Sequence, residues 1–257
     1  MTRKLTNNAA FITGAASGLG AATAELFIEE GALVTLADVN ESAGRALAKR
    51  LGANAAFERL DVADEANWRA VVEAAAARFG RLDTLVNCAG ISGGSFDIEQ
   101  ITLENWRKVM DVNLTGTLLG CQNAVRHMKR FGNGGSIINI SSVVGIKVWP
   151  ARIAYGSSKA AVAHLTKAVA VHCGKSGYNI RCNSVHPGTI DTPILDEQLE
   201  HFGNDRKAML EQLKNYQALG RVGSPRDIAA AVAFLASPDA SFITATELVV
   251  DGGFKEL

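Results

Sequence analysis

Tyr155 and Lys159 are four residues apart in a segment with a helical pattern, and residues at that spacing lie on one face of a helix. A phenol with a pKa of about 10 is a poor base at neutral pH, but an adjacent ammonium favours the phenolate. The pair is therefore suited to moving a proton to or from an oxygen atom of a substrate. The spacing alone is weak evidence, because chance also produces it.

Ser142 lies 13 residues before Tyr155 and two positions after the apolar run Gly135–Ile140, which has the pattern of a buried strand. In α/β proteins, the carboxyl ends of parallel strands open onto the ligand crevice. A hydroxyl in that place can donate a hydrogen bond to a carbonyl or alkoxide oxygen. Ser142 is thus a candidate partner of the tyrosine and the lysine.

A turn rich in glycine joins the first predicted strand to the first predicted helix. The segment Thr13–Gly20 has the sequence Thr-Gly-Ala-Ala-Ser-Gly-Leu-Gly, which differs in spacing from the general Gly-x-Gly-x-x-Gly dinucleotide pattern. Backbone N–H groups in such a turn, and at the helix N-terminus after it, can approach a pyrophosphate closely. Glycines in a turn also have a purely structural interpretation.

Asp38 ends the second predicted strand, about 20 residues beyond the glycine turn, where a carboxylate can accept hydrogen bonds from an adenosine ribose. Its charge also repels a 2′-phosphate, and Val39 and Asn40 supply no cation to receive one. The sequence therefore favours NAD(H) over NADP(H). Alternatively, Asp38 caps the helix that begins near Glu41, and the two roles are compatible.

Strand-like runs alternate with longer segments of helical period, which is typical of an α/β fold with a doubly wound parallel sheet. The irregular segment Thr189–Gly223 follows a late strand, where a ligand-covering insertion is expected. The predicted strands are Ala9–Thr13, Leu33–Ala37, Ala55–Leu60, Thr84–Val86, Gly135–Ile140, Asn179–Val185 and Glu247–Val250.

Composition narrows the class of partner. Lys plus Arg and Asp plus Glu each number 26, so no net charge favours nucleic acid or an anionic membrane surface. The longest apolar runs are too short to span a membrane, and no secretory signal is evident. The four cysteines lack a Cys-x-x-Cys spacing and the five histidines do not cluster, so we expect no metal site, buried structural roles for both types and a reducing, cytoplasmic location.

With these motifs in this order, the chain resembles the short-chain dehydrogenase/reductase family over essentially its whole length. The resemblance implies a single Rossmann-type domain over residues 1–257, with a seven-stranded parallel sheet. It also implies a homotetramer in which the long helices around Asn105–Arg130 and Ala154–Lys175 pack against their symmetry mates. It further implies that Tyr155 is the general base in alcohol oxidation and the general acid in ketone reduction, while Lys159 lowers the pKa of Tyr155 and binds the nicotinamide ribose. Ser142 rather than Ser141 would contact the substrate oxygen, and Asn113 would hold a water linked to the lysine.

The resemblance also implies a cofactor-binding half at about residues 1–140, followed by catalytic and substrate-covering segments at about 141–223. The family's usual Asn-Asn-Ala-Gly motif appears as Asn-Cys-Ala-Gly at 87–90, and we expect Cys88 to be tolerated there. The residues expected to contact the cofactor are Gly14, Ser17, Gly18, Leu19, Gly20, Asp38, Val39, Asp61, Val62, Asn87, Ala89, Gly90, Tyr155, Lys159, Pro187, Gly188, Ile190 and Thr192.

Apolar residues between 194 and 216 predict either a substrate lid or additional core, and Trp149 is either an aromatic wall of the site or an exposed or interface residue. Without a cationic cluster, this region favours a hydrophobic ketone of cyclic, aromatic or steroid-like type, as in the similar bacterial hydroxysteroid and secondary-alcohol dehydrogenases. The apolar residues of the segment are Ile194, Leu195, Leu199, Phe202, Met209 and Leu213.

Two alternative functions fit parts of the pattern. A 3-oxoacyl carrier-protein reductase usually prefers NADP(H), which Asp38 disfavours. A catalytically silent NAD-binding sensor or scaffold would leave the presence of Asn113, Ser142, Tyr155 and Lys159 without an explanation. We therefore expect an NAD-dependent oxidoreductase whose partner is a small secondary alcohol or ketone.

Overall fold

All strands within the described residues belong to one parallel sheet, in the order β3-β2-β1-β4-β5-β6-β7. The computed structural model describes residues 3–196 and 205–257. Because the strand order reverses direction after β1, the carboxyl ends of β1 and β4 flank a crevice in which ligands of doubly wound folds bind. The strands are β1 (Ala9–Thr13), β2 (Leu33–Asp38), β3 (Ala55–Arg59), β4 (Thr84–Asn87), β5 (Gly135–Ile140), β6 (Ile180–Pro187) and β7 (Glu247–Val250).

Helices cover both faces of the sheet, as the predicted α/β architecture requires. Several begin at side-chain caps: Asp64 accepts hydrogen bonds from the next helix's first turn, and Ser224 forms a capping box with Asp227. The α-helices within the described residues are α1 (Gly18–Glu29), α2 (Glu41–Leu51), α3 (Glu65–Phe79), α4 (Leu103–Met110), α5 (Gly116–Phe131), α6 (Ile153–Lys175), α7 (Arg206–Leu213) and α8 (Pro225–Ala236).

The core forms two layers because consecutive residues of a strand point to opposite faces of the sheet. On β1, Ile12 packs in a cluster with Phe27 of α1 and Val232 of α8. Its neighbour Phe11 packs on the other face with Trp68 of α3. Strands buried on both faces explain why their sequences are continuously apolar, and they confirm the predicted fold class.

The long helix predicted around Asn105–Arg130 is present, since residues 103–131 are helical throughout, but it is not α-helical along its whole length. Between α4 and α5, residues Asp111–Thr115 form a π-helical segment. α5 then approaches the sheet so closely that a Cβ at Gly120 would lie 2.3 Å from the side-chain oxygen of Asn87. π-Helical insertions change the direction of side chains and are frequent at functional sites.

The segment between β6 and α8 leaves the sheet, and its two ends meet each other at one point. Ile190 and Gly223 form a parallel backbone bridge there, and the guanidinium of Arg206 pairs with Asp191 and Asp196. Leu199 and Phe202, two members of the predicted lid, lie outside the described residues. Within residues 3–196 and 205–257, no helix is both long and apolar enough to cross a membrane.

Candidate active site

A cavity of about 910 Å³ opens at the carboxyl ends of the strands. Tyr155, Lys159 and Ser142 line it together with the glycine turn. Of the residues that the sequence assigns to cofactor or catalysis, Asn87 and Asn113 are the two that do not line this cavity. The volume is at the upper end of the range typical of small-molecule sites, which fits an extended ligand better than a compact one.

The glycine turn packs directly against the end of β4. Gly14 has a φ of +62°, and a Cβ there would lie 2.7 Å from the Cα of Ala89. The hydroxyl oxygen of Thr13 accepts hydrogen bonds from the backbone N–H groups of Cys88 and Ala89, each at 3.1 Å. These contacts hold the two strand ends together where the cavity passes between them.

The N-terminus of α1 is open to a ligand. Its N-cap residue, Ser17, makes no side-chain capping bond, and no acidic residue lies in the first turn. Uncapped N–H groups and the positive end of the helix dipole suit a pyrophosphate, so the residues present fit a dinucleotide in this part of the cavity.

The carboxylate of Asp38 links the end of β2 to the glycine turn. One oxygen accepts the N–H of Ala16 at 2.9 Å and the other accepts the N–H of Asn40 at 2.9 Å. The helix cap is Asn40, whose side chain accepts from the N–H of Ala43 at 3.1 Å. The alternative that Asp38 caps α2 is therefore wrong, because a residue two positions closer to the helix makes the capping bond.

Lys159 is almost completely buried, and its ammonium Nζ donates a hydrogen bond to the backbone oxygen of Ile140 at 2.8 Å. The Nζ atom lies 5.6 Å from the centroid of the Tyr155 ring. Burial lowers the pKa of Lys159 to about 8. The structure thus brings the phenol and the amine together next to the end of β5.

This pKa predicts how stability depends on pH. In the unliganded protein Lys159 loses its proton near pH 8, whereas in the unfolded chain it keeps the proton up to about pH 10.5. Between these values the unfolded state binds more protons, so the free energy of unfolding should rise with pH by about 3 kcal/mol over that interval. Urea unfolding of the wild type and Lys159→Met at pH 7.5 and 10 measures this gain. Parallel changes in the two proteins would contradict it.

The two neighbouring serines have different surroundings. The Oγ of Ser141 donates to the backbone oxygen of Lys159 at 2.8 Å and so ties β5 to α6. The Oγ of Ser142 accepts the N–H of Val144 at 3.2 Å, so the O–H of Ser142 is still available to donate a hydrogen bond. Ser142 is accordingly the serine suited to a ligand in the cavity.

A histidine that the sequence assigned only a structural role lies behind Ser142. His186 is fully buried, and its Nδ1 is 3.2 Å from the backbone oxygen of Ser142. Since a carbonyl can only accept, Nδ1 carries the proton, and Nε2 pairs with the hydroxyl of Ser184 at 2.9 Å. Burial lowers the pKa of His186, which keeps the ring neutral and this tautomer in place.

Two asparagines support the cavity wall from behind. The Asn87 side chain donates to Oδ1 of Asn139 at 2.9 Å inside the sheet. Asn113, on the π-helical segment, accepts from the N–H of Ile91 at 2.9 Å and donates to the hydroxyl of Ser158 at 3.0 Å. Their side chains therefore fix neighbouring segments, and the water link expected at Asn113 stays a prediction.

Sequence reasoning missed Arg152 and Phe254 and misjudged Cys88. Cys88 was expected to be simply a small buried residue, but it lines the cavity, and burial raises the pKa of its thiol to about 12, so it stays protonated. Phe254, near the C-terminus, stacks on Trp149 with ring centroids 6.3 Å apart, and both line the cavity. Only the departure at Cys88 left a signal in the sequence.

The described part of the predicted lid serves two purposes. Ile194, Leu195 and Leu213 line the cavity, whereas Met209 of α7 is fully buried in the protein. Trp149 likewise combines both of its alternatives, because it is 43% exposed and also forms part of the wall.

Comparison with known proteins gives consistent relatives. The profile of the family described as enoyl-(acyl carrier protein) reductase matches residues 14–255. The chain is 39% identical to an NADP-dependent (R)-specific alcohol dehydrogenase of Lentilactobacillus kefiri, over 99% of both chains. It is 41% identical to a 3-beta-hydroxysteroid dehydrogenase of Comamonas testosteroni, over 98% of this chain and 97% of the relative. A trans-4-hydroxycyclohexanecarboxylate dehydrogenase of Sinomonas cyclohexanicum is 41% identical over 97% and 93%, respectively.

Proposed function

The chain belongs to the short-chain dehydrogenase/reductase family, and on that premise we propose that it moves a hydride between NAD(H) and a hydrophobic, cyclic secondary alcohol or its ketone. The observation that carries the proposal is one cavity shared by Tyr155, Lys159, Ser142 and an uncapped helix N-terminus at a glycine turn. We call the part of the cavity lined by Trp149, Ile194, Leu195, Leu213 and Phe254 its substrate end. Its apolar side chains and the Trp149–Phe254 stack support a ring-shaped substrate, and the steroid and cyclohexane relatives support it by analogy.

The proposed chemistry divides between proton and hydride. In reduction the phenol of Tyr155 donates a proton to the carbonyl oxygen, and in oxidation its phenolate accepts the proton of the alcohol. A nicotinamide held in this cavity would supply the hydride in reduction and accept it in oxidation. Ser142 donates a hydrogen bond to the same oxygen, stabilising its developing charge. The Lys159 ammonium, oriented by the oxygen of Ile140, favours the phenolate and is placed to hold ribose hydroxyls.

Proton exchange with solvent is proposed to pass beside Asn113 and Lys159. A Cβ at Gly90 would lie 3.2 Å from Oδ1 of Asn113 and 3.3 Å from Nζ of Lys159, so both polar groups border the same small space. A water molecule in contact with the lysine there would return a proton to Tyr155. Asn113 contributes by holding the backbone of Ile91 and by placing the edge of this space.

The preference for NAD(H) rests on charge in the adenosine end of the cavity. Among the described residues that line the cavity, the acidic ones are Asp38 and Asp61, and the cations, Arg152 and Lys159, lie at the start of α6 instead. A 2′-phosphate beside Asp38 would meet a carboxylate and no cation. One relative is NADP-dependent, so the preference is not carried over from the family.

We expect kcat/KM with NADH to exceed that with NADPH by roughly 10- to 100-fold, because the Asp38 carboxylate repels the additional phosphate. Asp38→Asn removes the charge and keeps an acceptor oxygen, so it should narrow this ratio. Asp61→Asn removes a carboxylate elsewhere in the cavity and should change the ratio less. Initial rates of cyclohexanone reduction at 340 nm measure all three. A wild type that prefers NADPH would contradict the cofactor assignment.

The proposal extends to assembly and location. One continuous sheet supports a single domain, and free thiols at all four cysteines suit a reducing cytoplasm. The helices expected to pack in a homotetramer present exposed apolar side chains, including Leu118 of α5 and Val171 of α6.

A further inference from the structure

Arg152 is a cation at the substrate end of the cavity. It is the N-cap residue of α6, and it lines the cavity next to Trp149 and Tyr155. Because a helix rises by about 1.5 Å per residue, its side chain begins about one turn before that of Tyr155. Arg152 therefore lies close to Tyr155, the proposed proton donor, but is not part of the Tyr155–Lys159 pair.

The guanidinium has no carboxylate partner among the described residues. Its one side-chain hydrogen bond to them runs from Nη1 to the backbone oxygen of Gly94 at 3.2 Å. A guanidinium carries five N–H donors in a planar fork, so most of its donors are left for a ligand. The bond to Gly94 holds the side chain at the cavity wall and leaves the fork incomplete.

Among the described residues, the surroundings of Arg152 hold no compensating carboxylate. The acidic residues among those that line the cavity, Asp38 and Asp61, lie at the ends of β2 and β3 at the far edge of the sheet. In the described part of the wall the substrate end therefore combines apolar side chains with one cation besides the catalytic Lys159. An apolar site with a single unpaired arginine is complementary to a hydrophobic molecule that carries one anionic group.

We infer that the substrate carries a carboxylate, which Arg152 binds. Tyr155 exchanges a proton with the carbonyl or alcohol oxygen at another carbon of the same molecule. This inference rests on the proposed function, since it concerns the substrate of the same site. It also changes the expectation, drawn from the absence of a cationic cluster in the sequence, that the ketone is purely hydrophobic. One arginine is enough to select a substrate with one anionic group. Arg152 is thus a specificity-determining residue, and the carboxylate fixes the orientation of the ring.

The test compares two ketones that differ in charge and hardly in shape. The wild type should reduce 4-oxocyclohexanecarboxylate with a kcat/KM roughly 10- to 100-fold above that for 4-oxocyclohexanecarboxamide, mostly through KM, because a charge-assisted bidentate contact is lost with the amide. Arg152→Gln should bring this ratio close to one. Arg152→Lys keeps the charge without the fork and should retain part of the preference. The 3-oxo isomers, measured in the same way, test a second distance between the carbonyl and the carboxylate.

The outcomes separate the inference from the function on which it rests. A wild-type ratio near one for both isomers overturns the inference and leaves the proposed function in place, since the neutral ketones are still reduced. An unchanged ratio in Arg152→Gln, with both rates lowered equally, assigns Arg152 to holding the Gly94 segment and also overturns it. If the protein reduces no ketone at all with NADH, the proposed function and the inference fail together.

Discussion

Tyr155→Phe is expected to lower kcat for ketone reduction by roughly 10³- to 10⁴-fold while NADH binding is retained. The substitution removes one oxygen atom and leaves the ring, so it removes the proton donor without opening a cavity. The ring position beside Lys159 is kept, with Nζ 5.6 Å from the ring centroid. Stopped-flow rates for the chemical step, together with quenching of protein fluorescence by NADH, measure the two quantities separately.

Tyr178→Phe is the matched control for this prediction. Its hydroxyl accepts a hydrogen bond from Lys129 at 3.0 Å on the surface, far from the cavity in the fold, and its loss should leave kcat near the wild-type value. A Tyr155→Phe enzyme that stays within about tenfold of the wild type would remove Tyr155 from the mechanism, since general acid catalysis contributes more than that in most enzymes.

Ser142→Ala is expected to lower kcat by roughly 10²- to 10³-fold, the usual effect of removing one hydrogen-bond donor to a developing oxyanion. The Ser142 hydroxyl is oriented from two sides: its oxygen accepts the N–H of Val144, and its backbone oxygen is held by His186. This fixed orientation means that little free energy is needed to organise the donor during the reaction. Steady-state kinetics with a saturating ketone measure the loss in kcat.

Ser141→Ala removes an adjacent hydroxyl of the same kind and provides the control. Its Oγ bonds the backbone oxygen of Lys159 in the interior, so its loss should lower the free energy of unfolding by about 1 kcal/mol and affect kcat much less. If Ser141→Ala lost turnover and Ser142→Ala kept it, the roles of the two serines would have to be exchanged.

The strands could be predicted from the sequence because their burial is uniform. β1, β5 and β7 begin and end where the sequence predicts, and the other strands differ from prediction by at most two residues at either end. A strand covered on both faces has an apolar side chain at nearly every position, so the sequence alone indicates where it begins and ends. The residues that line the cavity follow from these strand ends, since the cavity lies where the strands stop.

Features that depend on distant segments could not be predicted. The π-helical segment at Asp111–Thr115 lies inside a longer helical region, and the sequence pattern predicts helix there without distinguishing a π-helical turn from an α-helical one. Arg152 meets Gly94 across 58 residues of chain, and His186 meets Ser142 across 44. Such contacts form only when folding brings distant segments together, so no local sequence motif predicts them.

The sequence could not show which of Asp38 and Asn40 caps α2. Both residue types are good helix caps, and they stand two positions apart before α2. The sequence offered capping and ribose binding as compatible roles for Asp38. In the structure the amide of Asn40 caps the helix and the carboxylate of Asp38 joins the glycine turn to β2, so it lies at the cavity.

Transfer of deuterium tests the central claim most directly. The purified protein is supplied with NADH that is stereospecifically deuterated at C4 of the nicotinamide, in ordinary water, with 4-oxocyclohexanecarboxylate, cyclohexanone or an acetoacetyl thioester, and the products are analysed by mass spectrometry. With one of the two C4 epimers, the account predicts a cyclic alcohol that carries one deuterium at its carbinol carbon, and the same product in greatly reduced amount from Tyr155→Phe. Reduction of the thioester alone, or NADH binding without any alcohol product, would contradict it.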